Sequence, residues 1–181
     1  MLKWLIRRRI AAFERDYGYD SSYVYDMLDV SLRALFVFNR ITPMSQYRHD
    51  VPKEAWFAAK IATVMNEDCG PCTQLAVTMA ERAGVDADLI RAIVNRDSSA
   101  MTADAALGFR FTVATLAHDM AADEYREEIE RRWGKHGLLS LAFVIASTRV
   151  FPTVKYALGH GKACQRVTVG GAATPVLRQA A

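Results

Sequence analysis

An all-α domain of about seven to nine helices is the fold that this sequence predicts, on three observations. Apolar residues recur three and four positions apart through most of the 181 residues. Gly, Pro and capping Asp, Ser or Thr residues fall between those runs, where helices start and stop. No segment sustains the alternation of apolar and polar residues that marks a half-buried strand. A chain that is 51% hydrophobic and 24% charged, with only five prolines, fits one compact domain with a substantial core.

The elements follow in order. Leu2, Leu5, Ile6, Ile10, Phe13 and Tyr17 share a helical face, while Lys3, Arg7, Arg8, Arg9 and Arg15 supply charge. A helix of this kind docks on its own domain or on a neighbouring subunit, although a membrane-surface helix has the same pattern. Asp20, Ser21 or Ser22 caps a second segment in which Val24, Leu28, Leu32, Leu35 and Phe36 recur, ending near Asn39 before Thr42 and Pro43. Asp50 and Pro52 start another, with Phe57, Ile61, Val64 and Met65 on one face and a stop at Asn66 to Asp68. Leu75, Val77, Met79 and Ala80 continue to Gly84, placed as a left-handed cap. Asp86 caps a helix with Leu89, Ile90, Ile93 and Val94, and Thr102 opens one running through Leu107, Phe111 and Ala114 to His118. Asp123 opens the next, with Tyr125, Ile129 and Trp133, closed by Gly134. The last pattern runs from Leu138 to Leu158, and Pro152 should kink or divide it. These helices compose a single domain over residues 1–164, with an N-terminal extension at 1–50 and a core at 51–164, and residues 165–181 read as a tail.

Composition also excludes functions. A net charge of +3 with no basic stripe interleaved with aromatics gives no footprint for nucleic acid. The most apolar stretch, Leu138 to Ala146, is soon followed by Thr148, Arg149 and Pro152, so the sequence predicts no stable membrane insertion. Three cysteines, an odd count, and no secretory leader at the start point to a reducing cytoplasm.

The chemistry concentrates at Glu67-Asp68-Cys69-Gly70-Pro71-Cys72-Thr73-Gln74, a C-x-x-C pair where a turn hands over to a helical pattern. At a helix start, unpaired backbone N–H groups and the positive end of the helix dipole favour thiolate over thiol. The second sulfur, one turn away, can capture an oxidised first sulfur as a disulfide. The string Cys-Gly-Pro-Cys also occurs in thioredoxin, but there it follows a buried strand, whereas a helical pattern from Pro52 to Asn66 precedes Cys69.

A helical domain of this size, a helix leading into Glu-Asp-Cys-Gly-Pro-Cys-Thr-Gln-Leu-Ala, and later Arg126-Glu127-Glu128, Arg132-Trp133-Gly134 and Lys155-Tyr156-Ala157-Leu158-Gly159-His160 form a longer pattern. From about residue 50 to residue 164 it resembles the carboxymuconolactone decarboxylase superfamily, and its C-x-x-C resembles the AhpD alkylhydroperoxidase-like branch. The resemblance implies a homo-oligomer, trimeric or hexameric, that reduces hydroperoxides with Cys69 and Cys72, needs no bound cofactor, and is reset by an external thiol or dithiol reductant. It implies attack by Cys72, whereas thioredoxin-like logic favours Cys69.

Two positions depart from that pattern. Such enzymes carry a histidine one turn after the second cysteine, where this chain has Ala76, and a glutamate about three turns upstream of the first, at or near Phe57. Glu67, two residues before Cys69, is a candidate substitute base, although its charge opposes a thiolate. His160 is a second candidate, and it shares a face with Cys164 if the last helix persists past Gly159. Two other readings stand beside the peroxidase. One is a zinc site of three cysteines and one histidine from Cys69, Cys72, His160 and Cys164. The other is a helical scaffold or ligand-binding oligomer without catalysis.

Overall fold

The computed structural model describes residues 1–162 and 166–176. An N-terminal arm contains α1 (Leu2–Tyr17), α2 (Ser22–Val30), α3 (Leu32–Asn39) and the short α4 (Thr42–Gln46). The bundle follows as α5 (Lys53–Asn66), α6 (Gly70–Arg82), α7 (Ala87–Val94), α8 (Ala103–Ala117) and α9 (Ala121–Ala157). A two-stranded antiparallel hairpin, β1 (Arg166–Val169) and β2 (Ala172–Pro175), ends the described chain.

The core lies between α5, α8 and α9, and small residues set its spacing. Ala55, Ala58, Ala59 and Ala62 of α5 are buried, and α8 crosses them so closely that a Cβ on Gly108 would stand 2.4 Å from the Ala55 carbonyl oxygen. Close backbone approach removes the voids that longer side chains would leave, and dispersion contacts gain accordingly. Ile61, Ile90, Ile93, Ile129, Leu141 and Val144 fill the remaining space and are fully enclosed.

Several boundaries follow their caps. The Asp86 carboxylate accepts from the Asp88 and Leu89 amides, the Thr102 hydroxyl accepts from the Ala105 amide, and Gly84 is left-handed at φ 73°. Gly134 breaks the helical backbone inside α9 at φ 64°, ψ −174°. Others differ from the sequence expectation. The segment from Val24 to Phe36 is two helices, because Ser31 is extended and its hydroxyl accepts from the Ala34 amide at 3.2 Å. Serine competes with the helix for its own backbone and here begins a new one. His118 ends α8 in a left-handed conformation, φ 55°, and the carboxylate at the start of α9 is Asp119, which accepts from the Ala121 amide at 2.9 Å, rather than Asp123. Pro152 does not divide α9: its ring is buried and helical backbone angles continue through it, with Phe151 edge-on to Phe38 at 5.6 Å. Packing there outweighs the lost hydrogen bond.

The largest difference lies in residues 166–175, part of the stretch expected as a tail, which form the hairpin. Gly170 and Gly171 take φ 56° and 78°, the left-handed pair that a tight hairpin needs, and Val167 and Val169 turn into the core. Two inward residues are too short an alternation to stand out in a sequence. The hairpin is clasped to α6: the Gln74 amide donates to the Thr168 carbonyl at 3.0 Å and accepts from the Thr168 amide at 2.7 Å. The Glu81 carboxylate accepts from the Gly170 amide at 2.7 Å.

The arm holds itself and the bundle by polar clasps. Glu14 accepts from the Ser21 amide at 2.9 Å and the Tyr25 hydroxyl at 3.0 Å, while Arg7 pairs with Asp29. Arg82 of α6 donates to the Asp16 carbonyl and lies over the Tyr17 ring at 4.2 Å. The expectation of no membrane-length span needs correction, since α9 is long and apolar enough to cross a bilayer by length and composition. In this fold α9 contributes Ile129, Leu141, Val144 and Ile145 to the core against α5 and α8.

Candidate functional site

The C-x-x-C pair sits in the turn between α5 and α6. Asp68 takes φ 48°, a left-handed conformation that aspartate tolerates better than most residues, and reverses the chain after α5. Cys69 is then extended and is the N-cap of α6, and Pro71, in the first turn, suits a position where the amide would be unpaired. The Cys69 carbonyl accepts from both the Thr73 amide, 2.8 Å, and the Thr73 hydroxyl, 2.9 Å. The two sulfurs are bonded to each other as a disulfide, with the Cα atoms 5.3 Å apart. Cys69 is fully buried and Cys72 is 5% exposed.

The end of α9 and the residues after it close over this turn. The Lys162 carbonyl accepts from the Gly70 amide at 2.9 Å, satisfying one of the first amides of α6. The Tyr156 hydroxyl donates to the Asp68 carbonyl at 2.8 Å. Arg149 Nε lies 2.6 Å from Glu67 Oε1. The candidate base Glu67 is therefore held in an ion pair, which offsets the repulsion it would exert on a nearby thiolate.

The other wall comes from the arm. Tyr19, between α1 and α2, is 7% exposed, and its hydroxyl lies 3.9 Å from Cys72 Sγ. Lys155 of α9 is completely buried. Its ammonium donates to the Asp20 carbonyl at 3.0 Å and stands 4.4 Å from the Tyr19 ring centre and 5.4 Å from that of Tyr23. The rings and the carbonyl partly replace the water that the ammonium loses. Burial lowers the Lys155 pKa, and the nearby Asp20 charge opposes that shift. Burial raises the Tyr19 and Tyr23 hydroxyls above the usual phenol value, so both keep their protons at neutral pH.

The remaining sequence candidates are engaged in other contacts or lie outside the described residues. The helix ends at Ala157, and Gly159 takes φ 80°, so the helical face does not continue to His160. His160 Nε2 faces Asp26 of α2 at 2.6 Å. Cys164 lies outside the described residues, so the zinc reading and the shared face of His160 and Cys164 do too. Among the described residues, no group of three His, Cys, Asp or Glu side chains is arranged to hold a metal. Ala76 is buried one turn after Cys72. His49 and His136 stack on each other at 4.8 Å, and His118 caps α8.

Sequence reasoning missed Tyr19 and Lys155. A lone lysine in the apolar run from Leu138 to Leu158 was a usable signal, because such a residue must find partners if buried. Tyr19 carried no comparable signal.

Compared with family models, curated proteins and solved structures, the chain matches none. Function is therefore read from the chemistry of the site itself.

Proposed function

We propose that the protein is a thiol-dependent peroxidase and disulfide oxidoreductase of the AhpD-like kind, with Cys72 as the attacking sulfur and Cys69 as its partner. One observation carries this reading: the two sulfurs are bonded across the first turn of α6, and a tyrosine hydroxyl faces Cys72. Two cysteines close enough to bond across one helical turn have the arrangement that thiol–disulfide cycling needs.

The chemistry takes two steps. The Cys72 thiolate attacks the terminal oxygen of a hydroperoxide; an S–O bond forms, the O–O bond breaks, and the leaving alkoxide takes a proton from solvent to become an alcohol. The Cys69 thiol then attacks the resulting sulfenic acid, forming the S–S bond and releasing water. An external dithiol supplies two electrons and two protons to regenerate the pair, and becomes a disulfide itself. No bound cofactor enters this cycle.

Cytoplasmic location and a homo-oligomer, trimeric or hexameric, belong to the same proposal. Exposed Leu2, Trp4 and Leu5 on α1, and Phe36 and Val37 on α3, support the second, since apolar groups of this size gain by being covered. Hydroperoxide consumption coupled to a small dithiol tests the activity. The wild type should turn over, and Cys69→Ser and Cys72→Ser should each stop it, but only Cys72→Ser should prevent sulfenic acid trapping. Equal turnover by wild type and either variant would overturn the reading.

A further inference from the structure

Neither the relay of the family that the chain resembles nor its candidate substitute explains how this pair would hold a thiolate, because position 76 is an alanine, position 57 a phenylalanine, and Glu67 is tied to Arg149. We infer that Tyr19 of the N-terminal arm is the group that holds the Cys72 thiolate, through its hydroxyl, with Lys155 as the positioning residue that fixes the Tyr19 ring. The inference rests on the proposed redox role of Cys72.

The geometry is specific. The Tyr19 hydroxyl is 3.9 Å from Cys72 Sγ, within the longer hydrogen-bond range of sulfur. A phenol that keeps its proton can only donate to an anionic sulfur, and a hydrogen bond given to the charged form favours that form. Lys155 constrains the donor from behind: its ammonium lies over the face of the Tyr19 ring and is tied to the carbonyl of the next residue, Asp20. Tyr23, on α2, is buried beside the same ammonium, which stands 5.4 Å from its ring centre. A positive charge held in a buried site also acts over a longer distance than it would in water.

Charged and titratable groups reach this region from each element packed around it. Asp20, after α1, turns its carboxylate to the amide and hydroxyl of Ser22, and those bonds hold it below the usual carboxylate range. Tyr23 comes from α2, Lys155 from α9, Lys162 from the segment after α9, and Glu67 with Arg149 from the end of α5 and from α9. The two lysines favour a thiolate, whereas Asp20 opposes it.

The test is the pH dependence of alkylation at Cys72 in the fully reduced protein, with iodoacetamide as probe and mass spectrometry following the Cys72 peptide. Only the thiolate reacts, so the midpoint of the profile reports the proton affinity of that sulfur. Tyr19→Phe keeps the ring and removes the donor. It should move the midpoint up by about one pH unit, leaving about tenfold less thiolate at pH values below both midpoints, with the plateau rate at high pH unchanged. Lys155→Met keeps the stem and removes the charge, and should move the midpoint in the same direction by a smaller step. Superimposable profiles for wild type and Tyr19→Phe would overturn the inference. Peroxide plays no part in this measurement. A protein without peroxide turnover but with the shifted profile would lose the peroxidase reading alone, and one with turnover but no shift would lose the role of Tyr19 alone.

Discussion

The bundle and the arm are held together by different physics. In the bundle, α5 and α8 meet backbone to backbone over Ala55 and Gly108, both buried. In the arm, α1 has no fully buried residue; it is tied down by Glu14, by Arg7 with Asp29, and by Arg82 reaching across from α6. The cysteine pair lies where the two meet, with Cys69 enclosed at the start of α6 and Cys72 facing Tyr19 of the arm. The contrast suggests a division of labour. The bundle fixes where the sulfurs are, and the arm sets how readily one of them ionises.

That division makes unequal effects measurable. The largest belongs to the bundle: Gly108→Ala must force α5 and α8 apart, because the added carbon would lie 2.4 Å from a backbone oxygen. A loss of about 1–3 kcal/mol is expected in denaturant unfolding. Unchanged stability would show that this crossing is looser than its geometry implies.

Lys60 sharpens the comparison through pH. Burial pulls its pKa down from 10.5 to about 8, while it donates to the Ser45 carbonyl at 3.2 Å and lies over the Trp56 ring at 4.5 Å. Between pH 8 and 10.5 the unfolded chain binds this proton and the folded one has lost it, so stability rises with pH through that window. The slope is at most about 1.4 kcal/mol per pH unit. Lys60→Met should remove the rise, as unfolding of the two proteins side by side at pH 8 and pH 9.5 would reveal.

Smaller effects are expected in the arm. Arg82→Ala removes the clasp on Asp16 and the stacking on Tyr17, and should cost about 0.5–1 kcal/mol. Leu5→Ser on the open face of α1 should change the stability of the isolated chain by no more than about 0.5 kcal/mol. Sedimentation velocity of the same variant would show a lower assembly state if that face is covered by a second copy.

Local chemistry was legible in the sequence and distant chemistry was not. Asp86, Thr102 and Gly84 act on residues within a turn of themselves, so their roles follow from spacing. The start of α6 at the cysteines followed in the same way, from a stop at Asn66 to Asp68 that hands over to a helical pattern. Ser31 was ambiguous because a serine can sit in a helix or begin one, and apolar spacing on its two sides happened to match. Val167 and Val169 offered too few alternations to mark a strand, and only α6 and the core make them one. Tyr19 and Lys155 were the hardest. Tyr19 meets Cys72 across 53 positions and Lys155 meets Asp20 across 135, and nothing in local spacing encodes either meeting.

The claim that Cys69 and Cys72 form a working redox pair is most directly tested by counting free thiols in the reduced protein before and after one equivalent of an organic hydroperoxide, with mass spectrometry locating any new bond. Rapid loss of two thiols with a bond between Cys69 and Cys72 is the predicted result. Loss no faster than in a free-cysteine control, with both thiols still present, would contradict it.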